Sequence, residues 1–441
     1  MHTRSTTIDV LFVNWRDVTH PEGGGSERYV HRMAEGLAAA GLHVSMFCAA
    51  HDRAPADEIV EGVQIVRRGG RLSVYPRALL HVLRHRPRLV VDVQNGLPFG
   101  STLVMSQPVV VLVHHVHREQ WPIVFGRFGG AIGWWVESVL APRLYRRSRY
   151  VTVSTATAEE LSELGVEPAR VAVVRNGVEP APPVVAVPSD TPRLVVLGRL
   201  VPHKRVEHAI EVVARLRDRR PGLCLSIVGE GWWDAELRAR AEELARAWVH
   251  VCPSVKEGWG LVVTEAGSHR VPTVGYRSAG GLRESVLDGL TGLLVDDLDQ
   301  MTEAIDELLD DESRRLAMGE AAARHAAGFS WPASIRRFAE VLATAVRESV
   351  SAVRGSAPLA VVEDVDRLVA LLDRAVRVER GLHAGDGGDA ERGAPAEGDE
   401  HGDQGLHSGT RFRGGRRRSV TLEGNVVIHN SAPVTIPSQQ A

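Results

Sequence analysis

Short apolar runs alternate along the chain with stretches that carry apolar residues at helical spacing, and this alternation restricts the fold most. Residues 8–14 predict a buried strand, residues 28–40 an amphipathic helix, and residues 43–48 a second strand. A strand–helix–strand unit of this kind places its strands parallel in one sheet. The pattern continues with apolar runs at residues 63–67, 89–93, 109–113 and 150–153. The first part of the chain is therefore predicted to be a doubly wound α/β domain.

The alternation returns after a proline-rich segment, so a second α/β domain is predicted. Prolines stand at positions 180, 182, 183, 188 and 192. Such a composition is typical of a linker, and we place the first domain at residues 1–178, the linker at 179–192 and the second domain at 193–330. Strands are predicted at residues 193–197, 224–228, 249–252 and from 272, and helices at 206–218, 234–248 and 261–269. Residues 331–349 predict one long closing helix.

Length and composition narrow the class of protein. A chain of 441 residues is expected to form two domains with a tail, and its net charge of −3 gives no sign of nucleic-acid binding. Cys48, Cys224 and Cys252 adjoin apolar runs and form no CxxC pair, so buried, reduced thiols are expected. The first residues lack the apolar core of a signal peptide, and no run is long enough to span a bilayer. These features favour a cytoplasmic protein.

Two glutamates near residue 260 form the strongest candidate site. Glu257 falls in a loop between a predicted strand and a predicted helix that begins at Leu261, and Glu265 lies in that helix. Gly258 and Gly260 leave the loop backbone open to a ligand, and the helix start offers free N–H groups to a phosphate. Because one carboxylate can hold two vicinal hydroxyls, the pair could hold two sugars joined by a diphosphate. The alternative is two solvated charges.

Three further loops follow predicted strands. Gly24 and Gly25 stand directly before the first helix, which suits an approaching phosphate or sugar as well as a simple turn. Arg199 and Lys204 flank the loop after the strand at 193–197, where cations would stabilise the charge that builds up on a leaving phosphate. Gly229 follows the strand at 224–228.

The loop after residue 113 holds three histidines within four residues, His114, His115 and His117. They could bind a metal, but no further Cys/His set supports zinc, and contact with a sugar or an acceptor is the other interpretation. Residues 121–147 mix aromatic residues with arginine, which predicts either a packed helix or a membrane-facing surface. Two Asp-x-Asp pairs, at 297/299 and 364/366, are interpreted as surface charge.

These motifs stand in a fixed order: the glycine-rich first loop, the histidine loop, Asn176–Gly177, Arg199 with Lys204, Gly229-Glu230-Gly231, the glutamate pair, and Gly280-Gly281-Leu282. Together they resemble the retaining GT-B glycosyltransferases of glycosyltransferase family 4 over residues 8–350. The resemblance implies two Rossmann-like domains facing a cleft, closed by a helix at 331–350 that returns to the first domain. It also implies a nucleoside diphosphate sugar as the donor substrate, with no metal and no cofactor.

By the same resemblance, Arg199 and Lys204 bind the diphosphate, Glu265 the ribose, and Glu257 the transferred hexose. The expected catalytic residues are Arg199, Lys204, Glu257, His114 and His117. The expected donor-binding residues are Gly24, Gly25, Arg199, Lys204, Gly229, Glu257, Gly258, Gly260, Leu261 and Glu265. The acceptor is left open as a lipid, a saccharide or a small molecule, with peripheral contact at the inner membrane face as a possibility, and nucleic acid is not expected as a partner.

The sequence departs from the family at one place. Residue 248 runs directly into the strand at 249–252, whereas the family usually has another strand and helix here. The missing strand would be the third in the order 3-2-1-4-5-6, an edge that commonly contacts the nucleotide base in the family. A non-catalytic nucleotide-sugar-binding or scaffold protein is therefore the alternative to an active transferase. A sugar-nucleotide epimerase matches the motifs less well.

The resemblance ends near residue 350. Residues 351–382 predict an amphipathic helix that either packs on the core or pairs with another chain. Residues 383–441 are expected to be a disordered tail. Within it, the basic cluster at 411–418 is interpreted as solvated, or as a contact for anionic lipid or nucleic acid.

Overall fold

The computed structural model describes residues 7–179, 188–199, 201–229, 246–353, 359–382, 418–422 and 426–430. Its strands are β1 Val10–Val13, β2 Val44–Cys48, β3 Asp57–Val60, β4 Val63–Arg67, β5 Leu89–Gln94, β6 Val109–Val113, β7 Arg149–Thr152, β8 Val171–Val173, β9 Arg193–Leu197, β10 Cys224–Val228, β11 Val249–Cys252, β12 Thr273–Tyr276, β13 Gly292–Val295, β14 Arg418–Leu422 and β15 Val426–Asn430. The α-helices are α1 Gly25–Ala39, α2 Val74–His85, α3 Gln120–Trp135, α4 Ala141–Leu144, α5 Thr155–Glu163, α6 Val206–Leu216, α7 Leu261–Ser268, α8 Leu282–Ser285, α9 Leu298–Asp310, α10 Glu312–Ala327, α11 Trp331–Val353 and α12 Leu359–Leu382.

The first sheet has the strand order β3-β4-β2-β1-β5-β6-β7-β8. Every pair in it is parallel except β3 with β4. The central strands β1, β2, β5 and β6 are buried along their whole length, as expected where both faces of a sheet are covered, and they are mostly apolar. The antiparallel edge strand β3 was not predicted, because its sequence is half charged and its residues alternate between exposed and half-buried.

The second sheet has the order β13-β12-β11-β9-β10-β15-β14. Strand β9 lies between β11 and β10, so the strand order reverses at β9. Such a reversal is the topological switch point of a doubly wound fold. Two α/β units with a mostly parallel sheet each confirm the predicted fold class. The helix predicted at 234–248, together with Glu230 and Gly231, falls mostly outside the described residues.

The C-terminal part of the chain corrects two expectations from the sequence. Strand β15 runs parallel to β10 and pairs with it from Leu225 opposite Val426 to Val228 opposite His429. The position expected to be empty in the second sheet is thus occupied, by a strand from the far end of the chain. Ten residues of the segment expected to be disordered form the hairpin β14–β15, while 383–417, 423–425 and 431–441 lie outside the described residues.

Two long helices pack on the first sheet although they follow the second domain in sequence. Phe338 of α11 is fully buried and stacks on Phe12 of β1 with 6.1 Å between ring centroids. Helix α12 packs along α11 and adds Leu368 and Leu372 to the same core. The chain crosses between the domains at Gly177, where a Cβ atom would lie 2.3 Å from the backbone nitrogen of Trp331. None of the described helices is both long enough and apolar enough to cross a membrane.

Candidate active site

The glycine turn before α1 is stabilised by a side chain from the first turn of that helix. Gly24 is the N-cap residue, and its amide donates a hydrogen bond of 2.7 Å to the carboxylate of Glu27, which also accepts one from the Ser26 hydroxyl at 2.8 Å. Burial alone would raise the pKa of Glu27, but the charges of Arg16 and Arg199 and these hydrogen bonds hold the pKa below its ordinary value. A buried, ionised carboxylate therefore fixes the turn.

The second domain contacts this turn through Arg199 and Leu261. A Cβ on Gly24 would lie 3.3 Å from Nε of Arg199, and a Cβ on Gly25 would lie 2.9 Å from Cδ1 of Leu261. Arg199 also donates a hydrogen bond of 3.2 Å to the backbone oxygen of Glu22. Because Gly24 and Gly25 have no side chains, the two domains can meet here. A cation of the second domain, Arg199, therefore lies at the N-terminus of α1.

Lys204 and Glu257 form an ion pair on the second-domain side. Their side chains are 18% and 11% exposed, so the pair is largely shielded from water. Burial would raise the pKa of Glu257, but the charge and hydrogen bond of Lys204 outweigh it and lower the pKa. The loop is also held from the other side, where the amide of Gly281 donates to the backbone oxygen of Glu257 at 3.0 Å. The site therefore holds an ionised carboxylate in contact with Lys204.

Glu265 lies in α7 and reaches the first domain. Nη1 of Arg28, in the first turn of α1, lies 3.1 Å from its carboxylate, and Nη2 of Arg28 lies 3.2 Å from Glu179. The sequence analysis did not single out Arg28. The available signal was its place directly after the glycine turn, but its partner depends on how the domains meet.

The two predicted histidines have different surroundings. His114 is buried, its ring stands edge-on to Tyr29 at 5.4 Å, and burial lowers its pKa to about 4. Its backbone oxygen contacts the glutamate loop of the second domain, since a Cβ on Gly258 would lie only 2.4 Å from that oxygen. The ring of His117 is instead bound to the buried Glu137, with 2.9 Å between Nδ1 and Oε1. The structure thus brings His114 to the glutamate loop and fixes His117 within the first domain.

The remaining predicted glycines lie at the ends of second-domain strands. Gly260 has a φ of +87° as the N-cap of α7, a conformation that favours glycine. Gly229 follows β10 directly, and the amide of Gly198, just before Arg199, donates to the backbone oxygen of Val228 at 3.0 Å. In the described part of the chain, no three His, Cys, Asp or Glu side chains come together as a metal site.

A second set of contacts joins the domains and was not predicted. Glu284 of α8 accepts hydrogen bonds from the Thr155 hydroxyl at 3.1 Å and the Ala156 amide at 3.2 Å, at the start of α5, and pairs with Arg175 at 2.8 Å. Lys256 forms an ion pair with Glu160 of α5. These contacts hold the loop that carries Glu257 against the first domain.

The assembled residues suit the handling of a charged, hydroxyl-rich ligand. The loops after β9 and β11 bring Arg199, Lys204 and Glu257 to the face of the second domain that meets α1, and α7 adds Glu265. Fixed cations and helix N-termini stabilise phosphate charge, and carboxylates accept hydrogen bonds from hydroxyl groups.

Comparison with known proteins agrees with this arrangement. Residues 23–181 match the model of Glycosyltransferase Family 4, and residues 191–311 match that of Glycosyl transferases group 1. D-inositol 3-phosphate glycosyltransferase of Kineococcus radiotolerans is 30% identical over 436 residues, covering 80% of this chain and 98% of that protein. Glycogen synthase of Mycobacterium tuberculosis is 28% identical over 401 residues, covering 77% and 95%.

Solved structures show the same fold. Sucrose-phosphate synthase from Thermosynechococcus elongatus superposes with a TM-score of 0.62 at 20% identity, over 75% of this chain and 97% of that one. HepE from Anabaena, solved with UDP-glucose, gives a TM-score of 0.58 at 15% identity, over 76% of this chain and 99% of that one. The order of motifs, the two sheets and these matches lead to one conclusion: the chain is a GT-B glycosyltransferase and belongs to glycosyltransferase family 4, the group 1 glycosyl transferases.

Proposed function

We propose that this glycosyltransferase moves a hexosyl group from a nucleoside diphosphate sugar to its acceptor with retention of anomeric configuration and without a metal ion. The proposal is carried by one observation: two cations and two acids lie where the two domains meet. Arg199 packs against Gly24, and Lys204 pairs with Glu257. Glu265 pairs with Arg28 of α1. In this proposal Arg199 and Lys204 hold the diphosphate, Glu257 the hexose and Glu265 the ribose.

Electrostatics supports the assignment of the two cations. Breaking the bond between sugar and phosphate develops positive charge on the anomeric carbon and negative charge on the leaving diphosphate. Preorganised cations in a site shielded from water stabilise such charge far more than they would in bulk water. Lys204 is already largely buried and paired with a carboxylate before substrate enters. A bound diphosphate would share Lys204 with Glu257, which is then free to accept from sugar hydroxyls.

Retention follows in this proposal from attack on the same face of the sugar that the diphosphate leaves. The acceptor hydroxyl forms a bond to the anomeric carbon, the bond to the phosphate oxygen breaks, and the hydroxyl proton passes to that phosphate oxygen. No protein nucleophile takes part. His114 fits a supporting role as a neutral group, since its lowered pKa keeps the imidazole uncharged at pH 7.

A donor panel tests the proposal. The full chain is incubated with UDP- and GDP-hexoses and with polyol or saccharide acceptors, which are chosen because the relatives' names include an inositol phosphate glycosyltransferase and a glycogen synthase. The expected result is transfer from one donor, an anomeric proton with the donor's configuration in the product's NMR spectrum, and unchanged turnover in EDTA. Inverted product or loss of turnover in EDTA would refute the retaining, metal-independent part.

The alternative, a non-catalytic nucleotide-sugar-binding or scaffold protein, was suggested by an empty strand position in the second sheet. Strand β15 occupies that position, so this reason for the alternative no longer holds. The donor panel separates the two directly. Binding of a nucleoside diphosphate sugar without transfer or hydrolysis would favour the alternative, and release of an epimerised free sugar would favour an epimerase.

The first domain also carries a surface suited to peripheral membrane contact, and we include that contact in the proposal. Phe128, Ile132 and Trp135 lie on one face of α3 and are 83%, 51% and 54% exposed. Arg127 beside them is exposed as well. Exposed apolar and aromatic side chains next to cations favour an anionic lipid surface.

Sedimentation with vesicles tests this surface. The wild-type chain is expected to bind vesicles rich in anionic lipid, and Phe128→Ser with Trp135→Ser is expected to weaken this binding at least about tenfold, since two buried aromatic contacts are lost. The matched control is Leu316→Ser, a similarly exposed residue on α10, which is expected to bind as the wild type does. Equal binding by all three proteins would contradict membrane contact through α3.

A further inference from the structure

The unusual element of this molecule is the C-terminal hairpin β14–β15. Without it, β10 would be an edge strand, with β9 on one side and a row of unpaired N–H and C=O groups on the other. Yet β10 has the apolar sequence of an interior strand, with Leu225, Ile227 and Val228, and beside β15 these residues are buried. Strand β15 completes its ladder over four residue pairs.

The direction of β15 brings its end to the same edge of the sheet as the candidate site. Because β15 is parallel to β10, the carboxyl ends of both strands lie together, with His429 opposite Val228. The hydrogen bond from Gly198 to Val228 places the end of β9, and Arg199 after it, beside the end of β10. With neighbouring strands about 4.8 Å apart, the end of β15 lies roughly 10 Å from the end of β9.

On the other side of β9, the carboxyl edge of the sheet is occupied by residues that already have a role. Glu257 and Glu265, which we assign to the two sugars, follow β11. Beyond them, Gly281 packs on the loop so closely that its Cβ would lie 2.3 Å from the backbone oxygen of Gly258. Ligands of open α/β sheets lie outside the carboxyl ends of the strands. The ends of β10 and β15 are therefore the part of this edge that adjoins Arg199, and Gly229 directly after β10 is the one residue there with an expected donor contact. The base is the part of the donor that has no assigned contact.

We propose that the C-terminal hairpin is a working part of the donor site: it completes the sheet of the second domain, and the carboxyl end of β15 borders the base of the bound nucleotide. The first half of this statement concerns the sheet alone. The second half rests on the proposed function, because it requires a nucleoside diphosphate to lie at Arg199 and Lys204.

The hairpin comes from the same chain. Residues 383–417 connect α12 to β14, and a stretch of that length reaches at most roughly 120 Å, which also permits exchange with a second copy. An intramolecular tether of this kind gives an effective concentration on the order of millimolar. At ordinary protein concentrations the chain's own hairpin therefore outcompetes that of another copy.

A disulfide tests the position of the hairpin without any ligand. Ser226→Cys with Val427→Cys, in a chain that also carries Cys224→Ser, places two thiols on directly paired residues of adjacent strands. The expected result is a cross-linked monomer on a non-reducing gel. The control pairs Ser226→Cys with Val420→Cys, which lies on β14, two strands from β10, too far for a disulfide. A cross-linked dimer or an absent cross-link would overturn the assignment to this chain's own sheet.

Proline substitutions in the full chain test the nucleotide contact. Val427→Pro and Ile428→Pro each remove a ladder N–H, because β15 has a neighbour on both sides. Among the described strands β14 pairs on one side only, so one of the controls Ser419→Pro and Val420→Pro removes an N–H that points away from the sheet. Binding is measured for UDP, GDP and inorganic pyrophosphate.

The expected result is that both β15 variants bind the preferred nucleoside diphosphate at least about tenfold more weakly and pyrophosphate as well as the wild type does, whereas the milder β14 variant binds both normally. Unchanged nucleotide affinity in the β15 variants would overturn the base contact. A wild-type chain that binds neither UDP nor GDP would refute the proposed function and the base contact together, and the disulfide would still decide where the hairpin lies.

Discussion

Two buried glutamates at the domain contact stay charged because partners of opposite charge compensate the loss of water. Glu257 keeps its charge because Lys204 contacts it, and Glu27 keeps its charge because Arg16 and Arg199 lie nearby. At His250 of β11 burial outweighs the opposite charge of Glu257 and lowers the pKa of the imidazole to about 3. The same physics thus gives charged acids at the domain contact and a neutral histidine in the strand behind it.

His250 gives a prediction about stability and pH. In the unfolded chain its pKa is near the ordinary 6.5, so below that pH the unfolded state binds a proton that the folded state rejects. The free energy of unfolding should therefore fall as the pH drops from about 6.5 toward 3, by up to about 1.4 kcal/mol per pH unit from this residue. Denaturant titrations of His250→Gln between pH 7 and pH 4 should show a shallower loss than the wild type. An identical slope would contradict the prediction.

At the scale of elements, the helix that crosses between the domains is the main connection. Helix α11 begins against Gly177, buries Phe338 and Leu342 on the first sheet, and carries α12 on its outer side. The sequence predicted this helix because its apolar spacing is regular over many turns. It could not predict which sheet the helix covers from spacing alone, since either sheet would bury the same face.

Phe338 tests the energetic importance of this packing. Phe338→Ala removes a fully buried ring that stacks on Phe12, and the cavity left behind should lower the free energy of unfolding by about 3–5 kcal/mol. Leu316→Ala on α10, where the side chain is 56% exposed, is the control and should change it by about 0.5 kcal/mol or less. Denaturant midpoints measure both, and equal midpoints for the two variants would show that α11 does not hold the first domain.

At the scale of the whole molecule, local features were predictable and contacts between distant segments were not. The loop positions of Lys204 and Glu257 were predictable because each residue follows a recognisable strand and precedes a helix. Arg28 with Glu265, and Glu284 with α5, depend on how two separately folded units face each other, which no local pattern encodes. Strand β15 was missed for the same reason: its five residues read as a short apolar run within a polar tail, and only its pairing with β10 gives it a place.

The two lysines of the chain offer the most direct test of the central claim, that cations at the domain contact stabilise the leaving diphosphate. Both pair with a glutamate, but only Lys204 is assigned to the diphosphate. We predict that Lys204→Ala lowers turnover with the preferred donor by about 10²–10³-fold, as expected for the loss of one preorganised donor of charge stabilisation. Lys256→Ala loses an ion pair that helps to hold the glutamate loop against the first domain but no contact with the diphosphate, so it should lower turnover less than about tenfold. Equal turnover in the two variants, or undiminished turnover in Lys204→Ala, would contradict the account.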